Sequence, residues 1–323
     1  MGHRRPRVLP LRRGTVNRMH YYSAYNLCIQ SEIELPELPS APPGSDLTIT
    51  VAGPQSLNET RSIEFDDAAG SEAVFSFPGV ARFTMCAGRE LTITPDLHAD
   101  ESIFGLYVQG MILAAALHQR GYFVLHASVV CMAERAVAFM GPTGAGKSTF
   151  ASALRSRGHR ILADDNAAID LAAAPPGVLP AFPNLKIYPD VATSLGYRLS
   201  TLRPMHLSQV KQAQTVADDF WPTPLPLSCI YLLDHEAAPS IPAPLPPVQT
   251  ITELLRHSVP TRWAVPGNGR HLQMCAQLAK TVPIFAVRTF TRLEEIPYIA
   301  NVIEEHALRL SPDMAGRSLC MAE

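Results

Sequence analysis

Nine consecutive residues, Gly141, Pro142, Thr143, Gly144, Ala145, Gly146, Lys147, Ser148 and Thr149, fit the pattern G-x-x-x-x-G-K-S/T. Glycines at that spacing let the backbone curl so that successive N–H groups point at phosphate oxygens, and a following helix adds its positive N-terminal dipole. In such a loop Lys147 reaches the β- and γ-phosphates of ATP and the Ser148 hydroxyl ligates Mg²⁺. Further on, Asp164 and Asp165 stand side by side at the end of a short apolar run. Adjacent carboxylates at a strand end alternate in direction, so one can face a reacting hydroxyl and the other a metal or its waters. His126 stands 21 residues before Lys147.

These groups need a strand, a turn and a helix in the right order. Ala136 to Met140 reads as a buried strand feeding the loop, Lys147 to Arg157 as a helix ended by Gly158, and Ile161 to Ala163 as the strand that delivers the aspartates. Phe123 to Leu125 is another apolar strand just before His126, and Cys229 to Leu233 a further one. Alternation of strand and helix favours an α/β phosphate-loop domain, expected over 99–310, with helices at Ile251 to His257 and Pro297 to Arg309. Residues 171–228 are rich in Pro and Ala and carry weak signals.

Before it, near-alternating runs at Asp46 to Val51, Ala73 to Phe77, Ala81 to Met85 and Glu90 to Thr94 predict a small antiparallel β-rich module over 21–98. A buried helix follows from Asp100, its cap, to Gly121, its stop. Its apolar stretch, Phe104 to Leu117, includes Gln109 and falls short of the ~20 residues of a membrane span.

The 323 residues are 47% hydrophobic and 17% charged, with a formal charge of −2. Residues 1–18 hold six arginines and no acid; without them 21 Lys and Arg face 29 Asp and Glu, a charge of −8. A disordered basic tail over 1–20 is therefore expected, and another tail over 311–323. The arginines do not precede an apolar signal core. An acidic body argues against nucleic acid as the main partner. The cysteines at 28, 86, 131, 229, 275 and 320 form no C-x-x-C pair and read as reduced thiols of a cytoplasmic protein.

Three motifs in order, Leu125-His126-Ala127-Ser128, the loop at 141–149 and Gly158-His-Arg-Ile-Leu-Ala-Asp164-Asp165, resemble those of the HPr kinase/phosphorylase family. That resemblance implies an α/β kinase domain of the HPr kinase type, ATP and Mg²⁺ as cofactors, and transfer of the γ-phosphate to a Ser or Thr hydroxyl of a small protein or peptide. It casts Asp164 as catalytic acid/base, Asp165 as its metal-side or positioning neighbour, and His126 as the group that orients or polarises the carboxylate. Relatives form hexamers, and the resemblance leaves a homo-oligomer open.

The chain also departs from that family. Its further signature, close to E-I/L-R-G-L/I-G-I, is replaced by Phe182-Pro-Asn-Leu-Lys-Ile-Tyr-Pro-Asp190, so the reverse, phosphorolytic activity is not expected. The front half differs too. Ile29 to Pro39 is similar to the opening of divergent HPr-kinase-like proteins associated with peptide natural products, including lasso-peptide tailoring kinases. With that group the resemblance spans Tyr22 to His306.

Two alternatives stand beside it: a nucleotide-sensing regulatory module, and a non-kinase ATPase in which Asp234 and Glu236, closing the run from Cys229, hold Mg²⁺ and polarise water. Lys186, Arg203 and Lys211 are candidate phosphate or substrate contacts.

Overall fold

The computed structural model describes residues 19–57, 60–65, 71–198, 200, 202–204, 212–235, 241–262 and 269–310. The arginine-rich segment 1–18, Lys211, Glu236 and the segment 311–323 lie outside them.

The alternating runs of the front half form a seven-stranded sheet in the order His20–Ala24, Leu27–Ser31, Leu47–Val51, Glu90–Pro95, Ala81–Cys86, Glu72–Phe77, Ser62–Phe65. The first strand begins at His20, so the expected tail over 1–20 overlaps it. The sheet is mixed rather than antiparallel throughout. Leu47–Val51 pairs parallel with both neighbours, to the first of which the chain is joined by a crossover at 32–46, whereas Glu72–Phe77, Ala81–Cys86 and Glu90–Pro95 follow one another through tight hairpins. Alternate residues of Ala81–Cys86 are buried, as the period of two requires.

The second sheet has nine strands. Arg160–Ala163, Ala127–Met132, Arg135–Met140 and Leu225–Asp234 lie side by side, the last two parallel. The ten-residue strand Leu225–Asp234 is shared. Its start pairs with Gly177–Val178 and its end runs parallel to Ile284–Arg288. A three-stranded antiparallel sheet of Asn184–Ile187, Gln212–Thr215 and Leu202–Pro204 completes the set.

The strand that feeds the loop faces two ways. Val137 and Phe139 join a core with Phe150 of the helix Lys147–Arg155 and with Ile296, Ile299 and Ile303 of the helix Ile296–Arg309. Ala136, Ala138 and Met140 face the larger core, which continues through the segment Glu101–Gln119 into Phe75, Phe83 and Ile93 of the first sheet. The front module and the α/β part thus share one interior.

The segment Glu101–Gln119 opens on Asp100, whose carboxylate accepts from Ser102 N, and is followed by Gly121 at φ +89°. Its length and composition meet the minimum for crossing a bilayer, but Phe104, Val108 and Ile112 through Leu117 are buried in the protein core. In its middle, Val108–Ile112 widens into a π turn. The described cysteines are free thiols.

Candidate active site

The loop begins where Arg135–Met140 ends. Gly141 sits at φ +151°, and a Cβ there would come within 2.6 Å of the Leu233 carbonyl oxygen on the adjacent strand. Gly146, at φ +94°, would place a Cβ 2.7 Å from Phe290 Cε1. Both positions therefore require glycine on steric as well as conformational grounds. Thr289 braces the loop from behind, its hydroxyl donating to Ala145 O at 2.7 Å. Lys147 opens the helix, is 7% exposed, and folds its ammonium back onto the Gly141 and Pro142 carbonyls, each at 2.9 Å.

The two aspartates occupy a bend after Arg160–Ala163, in different surroundings. Asp164 is buried. Its Oδ1 accepts from Ser128 Oγ at 2.6 Å and Ser148 Oγ at 2.8 Å, and its Oδ2 from Lys186 N at 2.8 Å. Asp165 is half-buried at φ +76°, the left-handed region. Its Oδ2 lies 2.6 Å from Lys186 Nζ and its Oδ1 3.4 Å from His126 Nδ1. The same Nδ1 lies 2.7 Å from the Asp165 carbonyl oxygen, which can only accept, so this nitrogen carries the proton. The expected reach of His126 towards Asp164 is thus a contact with Asp165. Alternation requires extended backbone through both residues, and the left-handed turn at Asp165 redirects its side chain.

The bend is clamped from behind. Asn166 Nδ2 donates to Gly110 O at 2.9 Å within the π turn, and the Tyr25 hydroxyl of the front module donates to Asn166 O at 3.1 Å. Burial, and then the charges of Asp165 and Asp164, push the Tyr25 phenol strongly up, so it stays a neutral donor.

His126, Ser128, Lys147, Ser148, Asp165 and Lys186 face one cleft of about 370 Å³, together with loop residues Thr143, Gly144, Gly146 and Thr149. Tyr188, Val191, Phe290 and Leu293 add a mostly apolar wall, with Asp190 among them. No spacing rule marked that wall. Phe290 follows the strand Ile284–Arg288 and packs edge-on against Phe150, and such a contact leaves no motif. Lys186 and Tyr188 come from the stretch that replaces the missing family signature, and they line the cleft all the same.

Asp234 closes the strand beside the one feeding the loop, and its carbonyl accepts from Thr289 N at 2.8 Å. The Ser148 hydroxyl is bonded to Asp164 rather than to Asp234. Arg203 stands opposite Ala213 in the small sheet; its side chain, Lys211 and Glu236 lie outside the described residues.

No protein-family model matches the chain, and no curated protein does. Among solved structures, the Hpr(Ser) kinase/phosphatase from Coxiella burnetii is similar at a TM-score of 0.36 and 15% identity, over 62% of this chain and 98% of that one. The likeness is distant.

Proposed function

We propose that this chain is an ATP-dependent phosphotransferase that moves the γ-phosphate to a Ser or Thr hydroxyl of a small protein or peptide. The observation that supports it best is the placing of Asp165 in the same cleft as Lys147 and Ser148, with His126 and Lys186 on its two carboxylate oxygens. A loop that only sensed nucleotide would have no use for a carboxylate held facing the phosphate end of the cleft.

The loop amides, the helix dipole and Lys147 bind the phosphates. Ser148 Oγ and Asp164 Oδ1, 2.8 Å apart, are adjacent hard oxygen donors of the kind Mg²⁺ takes from protein when it arrives with phosphates. Bound there, the ion would neutralise charge on the β- and γ-phosphate oxygens. Asp165 accepts the acceptor hydroxyl's proton as its oxygen bonds to the γ-phosphorus and the bond to the β–γ bridging oxygen breaks, releasing ADP. His126 and Lys186 keep that carboxylate aimed. These roles invert the ones the family resemblance implies, because Asp164 is buried on three donors while Asp165 faces the cleft.

Incubation of the full chain with γ-labelled ATP and serine-containing peptides tests the reading. Label should appear on the peptide with wild type and not with Lys147→Ala, which should also bind ATP more weakly. Undiminished ATP affinity in that variant would remove the loop from the site, and labelled phosphate released only to water would leave an ATPase.

A further inference from the structure

The left-handed turn that aims Asp165 into the cleft is fixed from both sides. Before it, Asp164 is held by the hydroxyls of Ser128 and Ser148 and by the amide of Lys186. After it, Asn166 is 6% exposed and bonded twice: its Nδ2 donates to Gly110 O at 2.9 Å, and its carbonyl accepts from the Tyr25 hydroxyl at 3.1 Å. The Asp165 carboxylate lies over the same π turn, since a Cβ on Gly110 would stand 4.0 Å from its Oδ2. Single π turns inside helices are frequent at functional sites.

Tyr25 reaches this bend from the other half of the molecule. With Asn26 it forms the two-residue hairpin turn between His20–Ala24 and Leu27–Ser31, at φ +54° and +57°. Such turns ordinarily take Asn, Asp or Gly at both central positions, because a bulky side chain strains a positive φ. Here the tyrosine is buried at 1% exposure, its amide donating to Pro180 O at 2.8 Å and its ring edge-on to Phe182. A hairpin tip of the front module is thereby pinned within the α/β part, with its phenol on the residue next to Asp165. Backbone strain of this kind persists only where the surroundings hold it, and it clusters at active sites. Two strained residues, Tyr25 and Asp165, are joined through the Asn166 carbonyl.

We propose that Tyr25 is a positioning residue for the transfer step: its hydroxyl, acting through Asn166, holds the left-handed turn that directs the Asp165 carboxylate. Freed from that hold, the bend relaxes towards extended backbone and the Asp165 side chain turns away from His126 and Lys186. The acceptor hydroxyl then has no base in reach. The front module is therefore part of the transfer machinery. This rests on the reading of the cleft as a phosphotransferase site with Asp165 as its base.

Tyr25→Phe removes only the hydroxyl. At saturating Mg²⁺–ATP and acceptor peptide it should lower the single-turnover rate by about tenfold, with ATP affinity within about threefold of wild type. In the Asp165→Asn background the same change should cost nothing further, because the carboxylate it aims is gone. Tyr22→Phe is the control: it deletes a buried hydroxyl of the same module, the one that accepts from Leu35 N at 3.0 Å, and should lower the melting temperature without slowing transfer. A wild-type rate in Tyr25→Phe, an equal loss in Tyr22→Phe, or a further tenfold loss on top of Asp165→Asn would overturn the proposal. A measurement without turnover keeps the two readings apart. The His126 Nδ1–H bonded to the Asp165 carbonyl at 2.7 Å, followed by NMR in the full chain carrying isotope-labelled histidine and assigned by its loss in His126→Gln, should exchange faster with solvent in Tyr25→Phe. Faster exchange with no phosphorylated peptide from wild type keeps the hold on the turn and defeats the kinase. Phosphorylated peptide with exchange and rate both unchanged in Tyr25→Phe does the opposite.

Discussion

Lys186 Nζ lies 2.6 Å from Asp165 Oδ2, and both side chains are partly exposed, at 22% and 31%. An ion pair in that setting contributes little to folding. Its effect falls on the carboxylate, which it holds directed into the cleft. Lys186→Met should lower the transfer rate by about tenfold or more with ATP affinity within about threefold of wild type, while Lys186→Arg should restore much of the rate. Parallel losses of melting temperature and activity in both variants would mark Lys186 as structural only.

The unlike surroundings of the two aspartates separate their variants. Asp165→Asn cannot accept a proton and should reduce transfer by about 10²-fold or more, with Mg²⁺–ATP binding preserved. Asp164→Asn should instead weaken Mg²⁺-dependent nucleotide binding and lower the melting temperature, since Ser128, Ser148 and the Lys186 amide all donate to it. Calorimetric titration with ATP, with and without Mg²⁺, alongside single-turnover rates checks both. The opposite pattern would return the acid/base role to Asp164.

Absence of the E-I/L-R-G-type signature leads us to expect that inorganic phosphate will not strip label from the phosphorylated acceptor. Release measured over a range of phosphate concentrations should match the phosphate-free control. Fast phosphate-dependent loss would show that Asn184 to Asp190 supports the reverse reaction without the signature's acid.

Acid should destabilise the chain before its carboxylates titrate. Burial, then the neighbouring His271 and Arg270, lowers the His118 pKa from 6.5 to about 4, and burial lowers that of His271 as well. A histidine with a depressed folded pKa binds its proton more readily when unfolded, so stability is full above about pH 6.5 and falls as the pH drops towards 4. For His118 the loss reaches up to about 3 kcal/mol. Denaturant melts between pH 7 and 4 should show a shallower decline in His118→Gln, and an identical decline would refute the assignment.

Features with a local cause were legible in the sequence. Alternation marked the strands at 47–51, 72–77, 81–86 and 90–95, because each has one buried face. The loop and the double aspartate carried their own chemistry. Ala127–Met132 is buried on both faces and shows no alternation, so its bounds were not legible although a strand beside the loop strand was expected near His126. The strand Asn184–Ile187 lies in a Pro- and Ala-rich stretch and takes its place through pairing with Gln212–Thr215, a relation between distant segments. The helix Gly269–Thr281 and the strand Ile284–Arg288 were missed outright, and with them Thr289 and Phe290 behind the loop. One residue's backbone angle decided the partner of His126, and composition does not report a left-handed turn at an aspartate.

The back-folded ammonium of Lys147 closes the loop on itself. Two neutral carbonyl oxygens already satisfy it, so an arriving polyphosphate exchanges partners with the loop instead of filling a vacant socket. Charged oxygens hold an ammonium more strongly than carbonyls do, and a ligand displaces them only if its chain extends far enough to touch the lysine. On the proposed reading, a diphosphate and a triphosphate would thus differ in whether the exchange completes, and the length of the phosphate chain would be gauged ahead of the base.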